Sequence, residues 1–235
     1  MVRRVVAMAV CAVYLAAAKA PERPLQVVTT DRLDFTGGTI RVDNAYGELN
    51  VEAWDEPRVE VTVTRTAYRN STPQQQEQGK AYLAKIQVTV KKADHGDVEI
   101  STQFPGRNRL VRAIWGLGDF NLDYRIKVPR SANLVIHHGV GDVIVQNVTG
   151  GIDATIRTGD IVVQLPDPEK YAIDAQCRFG DIFTDYDGTH RSPWLVGQKF
   201  EAGSGHAIHL RALLGGISIQ RVPAVSYPAL SPPTS

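Results

Sequence analysis

The run Gly141-Asp142-Val143-Ile144-Val145-Gln146, followed by Gly150-Gly151-Ile152-Asp153-Ala154-Thr155-Ile156 and Gly159-Asp160-Ile161-Val162-Val163-Gln164-Leu165, decides the fold. It is one unit, Gly-x-apolar-x-apolar, restarting every nine residues at Gly141, Gly150 and Gly159. The same unit opens at Gly38 and Gly47, again nine apart, and at Gly96, Gly180 and Gly215. Alternation with a period of two puts every second side chain on one face of a strand. A glycine before each strand permits a sharp corner. Nine residues hold one short strand and one corner but not a crossover helix, which excludes a βαβ architecture. The expectation is an all-β, single-domain β-solenoid-like fold (a parallel β-helix or roll, or a tightly wound sheet). Its stacked inward faces form one continuous core over residues 31–221.

Outside this run the rhythm changes. Arg58-Val59-Glu60-Val61-Thr62-Val63-Thr64-Arg65 alternates as a strand, and Ile86 to Val90 and Gly96 to Thr102 read as a pair of strands. Between them, Thr72-Pro73-Gln74-Gln75 combines an N-cap, proline at the first helical position and glutamine three residues on, predicting a short helix over 73–84. The N-terminal half is therefore expected as hairpins with one short helix. Tyr124 to Val128 reads as a strand stopped by Pro129. After Gly205 the beat slips, with Ile208 and Leu210 rather than Ala207 and His209 as the large apolar pair, which predicts a bulge. Residues 21–30 read as a linker and 222–235, rich in proline, as a disordered tail.

The first twenty residues read as an export signal: Arg3-Arg4, an uncharged apolar run from Val5 to Ala18, then Ala18-Lys19-Ala20-Pro21. The run is shorter than the roughly 20 residues that span a bilayer. The expected location is exported: periplasmic, cell-surface or secreted. The 235-residue chain carries 26 Lys+Arg and 25 Asp+Glu, and removal of three basic residues with the signal takes the net charge from +1 to −2. That balance excludes an electrostatic nucleic-acid binder. Cys11 leaves with the signal, so Cys177 is the one thiol and no internal disulfide is available. Tyr171, Ile173, Ala175, Cys177 and Phe179 alternate on one strand face, which makes Cys177 a buried apolar residue.

Two features carry candidate chemistry. Asp follows glycine at Asp142, Asp160 and Asp181, so the stacked corners would align these carboxylates in a column. The column can bind cations or work as acid and base, or it can be turn chemistry, with each Asp occupying a corner and bonding its own backbone. The dense Gly-Gly-x-Gly-x-Asp spacing of calcium-binding rolls is absent. The second feature is residues 104–118, where Arg107, Arg109 and Arg112 interleave with Leu110, Val111, Ile114 and Trp115. Arginine forks beside an aromatic anchor suit an anionic glycan or lipid headgroup; the same residues can also cap the core. No Gly-x-Ser-x-Gly, P-loop, His-Glu-x-x-His or Cys-x-x-Cys occurs, so no cofactor and no metal are expected. His137-His138 and His206-x-x-His209 fall on opposite faces of a strand and do not converge on a metal.

Gly38-Thr39-Ile40-Arg41-Val42-Asp43-Asn44-Ala45-Tyr46-Gly47-Glu48-Leu49-Asn50-Val51, with Trp54, Pro57, Val128-Pro129, Gly141-Asp142-Val143, Gly150-Gly151-Ile152 and Thr158-Gly159-Asp160-Ile161, resembles the bacterial DUF4097 or "putative adhesin" domain, related to the toastrack domains. The likeness covers roughly residues 31–221. It implies an exported β-solenoid-like module linked to envelope adhesion or envelope-stress sensing, with no catalytic residues to carry over. The expected function is non-enzymatic binding, adhesion or scaffolding in the envelope, with an envelope glycan, an anionic lipid or a protein as partner. Open solenoid ends additionally allow an oligomer. The alternative is a polysaccharide lyase or hydrolase using Asp142, Asp160 and Asp181, since a carboxylate pair about 5–9.5 Å apart is needed and stacked strands lie about 4.8 Å apart.

Overall fold

A computed structural model describes residues 24–68, 72–104, 120–167, 170–192 and 197–223. In chain order its strands are β1 (Leu25–Asp34), β2 (Thr39–Tyr46), β3 (Glu48–Trp54) and β4 (Arg58–Ala67), then helix α1 (Pro73–Leu83), β5 (Gln87–Lys92), β6 (Val98–Gln103), β7 (Phe120–Pro129), β8 (Asn133–Val140) and β9 (Val143–Gln146). The C-terminal half holds β10 (Ile152–Thr158), β11 (Ile161–Asp167), β12 (Tyr171–Phe179), β13 (Ile182–Thr184), β14 (Thr189–Arg191), β15 (Gln198–Ala202), β16 (His206–Leu214) and β17 (Ile217–Pro223). These form two mixed sheets. Sheet A has the order β1-β4-β7-β3-β9-β11-β17-β13 and sheet B the order β14-β15-β12-β16-β10-β8-β2-β6-β5.

The repeated unit explains the centre of both sheets. Each layer is a strand of sheet B, a glycine corner and a strand of sheet A. In stacking order the layers are β2/β3, β8/β9, β10/β11, β16/β17 and β12/β13, and their neighbours are parallel in both sheets. The apolar positions of successive units meet in register. Ile40, Leu134, Ile152, Ile208 and Ile173 form one buried row in sheet B. Leu49, Val143, Ile161, Ile217 and Ile182 form the matching row in sheet A. All ten belong to one hydrophobic cluster shared by both sheets. Burial of an aliphatic side chain is worth about 1.5–3 kcal/mol, so the rows hold together strands too short to persist alone.

The sequential coil order of a solenoid is not what is found. The chain builds β12/β13 first, leaves a gap, and returns through β14 and β15 to lay β16/β17 between β10/β11 and β12/β13. Antiparallel strands close the sheets: β1-β4-β7 at one end of sheet A, and β5-β6 and β12-β15-β14 at the two ends of sheet B. The architecture is thus mostly β, with two mixed sheets and one helix.

That helix starts as its sequence dictates. Thr72 accepts a hydrogen bond from the Gln75 N–H, and the Gln75 side chain accepts one from the Thr72 N–H, forming a capping box. Leu83 is the residue it buries, and α1 packs against β4 and β1.

Four local expectations need correction. The linker assigned to 21–30 contains most of β1. That strand is exposed along nearly its whole length, so it carries no alternating pattern, and its ten residues are held by pairing to β4. Strand β17 runs two residues into the tail assigned from 222. The slip after Gly205 produces no bulge: β16 pairs with β12 in register from His206 to Ala212, and the extra residue is taken up in the corner at Gly203 and Gly205. Finally, Phe179 does not share the buried face of Cys177. It is 46% exposed, because the chain is already turning at Gly180.

Candidate functional site

The corner glycines stack into a column: Gly47, Gly141, Gly159, Gly215 and Gly180. At Gly141 and Gly159 the backbone φ is +124° and +125°, a region that disfavours any residue with a Cβ. A Cβ on Gly141 would fall on the carbonyl oxygen of Gly47, and one on Gly159 on that of Gly141, well inside 3.0 Å. The close approach lets the ladder pass through the corner without interruption. Gly141 N–H donates to Thr158 O, Gly159 N–H to Leu214 O and Gly215 N–H to Phe179 O, at 2.9–3.0 Å.

The carboxylate column lies directly on these corners. Asp142 Oδ1 accepts the Asp160 N–H at 2.9 Å, and Asp160 Oδ1 accepts the Gly216 N–H at 2.6 Å. One oxygen of each carboxylate is thus committed to the backbone of the next layer, across the stack rather than within its own turn. Asp181 is not contiguous with the pair, because the inserted layer puts Gly216 between Asp160 and Asp181. Among the described residues, no cluster of three or more His, Cys, Asp or Glu side chains could hold a metal ion.

Asp181 belongs to a cap instead. In the inner layers the N–H two residues after the corner glycine donates to the next layer's backbone, as Val143 does to Asp160 O and Ile161 to Gly216 O. The β12/β13 layer has no further layer in sheet A. There the Gln198 side chain takes the place of a peptide: its Oε1 accepts the Ile182 N–H and its Nε2 donates to Asp181 Oδ1, both at 2.9 Å. Gln198→Ala is expected to cost about 1–3 kcal/mol, two hydrogen bonds at about 0.5–1.5 kcal/mol each, the one to the Asp181 carboxylate being solvent-exposed. Urea unfolding of the variant beside wild type checks this.

Outward from the corner, sheet A presents two further rows. Asn50, Ile144, Val162, Ser218 and Phe183 lie side by side, each three residues beyond its corner glycine. Next come Glu52, Gln146, Gln164 and Gln220. The glutamines form an amide ladder: Gln146 Nε2 donates to Gln164 Oε1 at 2.9 Å, and Gln164 Nε2 to Gln220 Oε1 at 3.1 Å. Phe183, at the free edge, is 66% exposed. The central field of Ile144, Val162, Ser218, Gln146, Gln164 and Gln220 carries no charge. Asp142 and Asp160 border it on the corner side, and at the β7 end it is bordered by Arg125, Lys127 and Glu52. Sequence reasoning did not single out this face, although the signal was present: Gln146, Gln164 and Gln220 each stand five residues after a corner glycine.

The outer face of sheet B is different. Asp174 lies within 3.5–4.0 Å of Arg211, His209 and Lys199, and Lys199 also pairs with Glu201 at 2.9 Å. A shallow open cleft beside it is lined by Asp174, Glu201, Gly203 and His209. The Arg211 and Lys199 contacts are surface ion pairs of small energetic worth, and the buried Nδ1 of His209 has no hydrogen-bond partner among the described residues. The histidine pairs split as their spacing requires. His137 is exposed and meets Asp43 at 3.0 Å, whereas His138 is buried. Cys177 is buried, its thiol donates to Gly215 O at 2.8 Å, and burial pushes its pKa up. The segment with Arg107, Arg109, Arg112 and Trp115 lies outside the described residues, as do the signal region and the chain beyond Pro223. No helix among the described residues is long and apolar enough to cross a membrane.

A double sheet of wound parallel layers with a glycine column at the corner is the class of protein defined here. No family model matches the chain, and no curated protein matches it. Among solved structures it is similar in fold to one described as a putative cell adhesion protein from Clostridium sporogenes. The two are 12% identical with a TM-score of 0.50, covering 85% of this chain and 100% of that one. A structure described as a putative adhesin from Bacteroides fragilis also aligns, at 12% identity and a TM-score of 0.32, over 83% of this chain and 97% of that one.

Proposed function

We propose that the protein is an exported, non-catalytic binding module of the cell envelope, and that the outer face of sheet A is its binding surface. The observation that carries this is the arrangement of that face. A regular, half-buried, uncharged field ends in an exposed aromatic, Phe183, on a chain whose other outer face is covered with ion pairs. Large exposed aromatics beside uncharged polar groups are a feature of recognition surfaces. The export-signal pattern of residues 1–20 and the fold shared with the Clostridium sporogenes structure support the envelope setting. The backbone bonds of Asp142 and Asp160 favour a structural over a hydrolytic use of the corner carboxylates. Adhesion and scaffolding are the roles such a surface serves.

The test is co-sedimentation of purified protein with washed bacterial envelope fragments, comparing wild type with Val162→Lys. Val162 is partly exposed and its strand is central, so the lysine places a charge in the middle of the field without touching the core. At least a tenfold loss of bound protein, at an unchanged thermal midpoint, is expected. Equal sedimentation of the two proteins overturns the assignment of this face. Release of new reducing ends from a glycan panel by wild type, abolished in Asp160→Asn, replaces it with the catalytic reading.

A further inference from the structure

We propose that the occupant of this face is an uncharged, β-linked polysaccharide lying across the strands of sheet A; the proposal rests on the reading of that face as the binding surface. Three observations combine. First, the face is periodic in one direction only. The rows repeat from β9 to β11 to β17, at the spacing of about 4.8 Å between hydrogen-bonded strands. A linear β-linked glycan advances by one ring over nearly the same interval, with adjacent rings turned over, so each sugar would lay an axial C–H face on the apolar row while the same edge hydroxyls return to the ladder at every second strand.

Second, the chemistry of the rows matches the two sides of a sugar ring. Ile144 and Val162 offer an apolar strip, and Phe183 extends that row through Ser218 to the sheet edge. The axial C–H face of a β-linked pyranose packs on such a strip. The glutamine ladder runs alongside. Each amide has two N–H donors and an oxygen with two lone pairs. The bond from Gln146 and the bond from Gln164 use one donor of each, leaving the other for hydroxyl or acetamido groups. On the opposite border, Asp142 and Asp160 bind backbone through Oδ1, so the second oxygen of each remains to accept hydroxyls.

Third, the charge pattern chooses among glycans. The field is neutral along its length and its corner border is anionic, with the cations Arg125 and Lys127 confined to the β7 end, so a uronic-acid or sulfated polymer laid along the rows is disfavoured. The same border disfavours an anionic lipid surface. The ladder also holds the amides in place before any ligand arrives, which lowers the side-chain ordering cost of binding.

The experiment is retention of purified protein on insoluble cellulose and chitin, with alginate beads as the acidic control. Titration with cellohexaose and chitohexaose is followed by isothermal calorimetry. Wild type is expected to bind at least one neutral polymer and its hexamer, and not alginate. Val162→Lys and Phe183→Ala are expected to lose at least tenfold in affinity, and Gln164→Ala several-fold, each with an unchanged thermal midpoint. No retention on either neutral polymer overturns the proposal, as does stronger retention on alginate. If neither neutral polymer binds but Val162→Lys still abolishes sedimentation with envelope fragments, the face is the binding surface and its ligand is not a neutral glycan. If light scattering shows a dimer that Val162→Lys dissociates, with no glycan retained, the occupant is a second copy of the chain.

Discussion

Gly159→Ala lowers the unfolding free energy by about 2–6 kcal/mol, combining a non-glycine residue at positive φ, about 1–3 kcal/mol, with overpacking against fixed backbone, about 1–3 kcal/mol. The two contributions can be separated within this molecule. Gly37 has nearly the same φ, +120°, but a Cβ there meets nothing within 4 Å, whereas a Cβ on Gly159 meets the Gly141 carbonyl, with the Asp142 side chain at 3.0 Å. Gly37→Ala therefore carries the φ cost alone, about 1–3 kcal/mol. Denaturant unfolding of both variants measures the difference. Equal losses would mean that the close stacking of the corners contributes nothing, and the account of the glycine column would fall. The effect at Gly159 is large because neither side can relax. Its N–H is bonded to Leu214 O, and Gly215 is packed on its own carbonyl, so a shift of one corner displaces the layers above and below.

Acidification destabilises the fold through His138, by up to about 3 kcal/mol between pH 6.5 and pH 4. His138 occupies a core-facing position next to Asn44 on β2, with its Nε2 beneath the Gly141 corner. Neither ring nitrogen has a well-formed hydrogen-bond partner among the described residues. Burial brings its pKa down to about 4, against weaker opposing pulls from the backbone at Gly47 and Val140 and from the Asp142 carboxylate. The sign follows from linkage. The folded pKa is below the unfolded value of about 6.5, so the unfolded chain takes up the proton first as pH falls. The stability is fully present above pH 6.5 and is lost progressively down to about pH 4. A shift of about two and a half units at about 1.36 kcal/mol per unit sets the ceiling. Urea midpoints at pH 7.5, 5.5 and 4.5 measure the slope, and His138→Gln removes its histidine part. An unchanged slope in that variant would mean that other groups dominate. Protonated His138 also presses a charge against the Gly141 corner, so acid is expected to loosen the column at the β8/β9 layer.

The repeat made the core directly legible. Ile40, Leu134 and Ile152 are buried because they stand two residues after a glycine or at the equivalent place in their unit, and a period of two leaves no other face for them. The capping box at Thr72 and Gln75 was equally local, so the start of α1 could be read from four residues. Strand β1 could not be. Its side chains are exposed on both faces, and its reason for being extended is a partner strand whose paired residues lie 24 to 42 positions further along the chain. Phe179 was misplaced because alternation was carried one residue too far, into a corner. The candidate face was hidden for a different reason. Gln146, Gln164 and Gln220 each look like an ordinary solvent-facing strand residue, and Gln220 is as distant in sequence from Gln164 as another small domain. They become a ladder only when β17 is laid against β11.

The layer is written in the residues themselves: a strand, a glycine corner and a second strand, with the inward and outward positions along each strand following the period of two up to the corner. The order of the layers is fixed by the folded chain alone. The corner bonds run from backbone N–H to carbonyl or carboxylate, and each layer offers nearly the same groups, so local sequence does not say which layer stacks on which. The choice is made by long-range pairing. Strands β14 and β15 occupy the free edge of β12 and the Gln198 amide closes β13, so the last layer enters between β10/β11 and β12/β13. That insertion separates Asp181 from Asp160, and it joins Gln220 to Gln164.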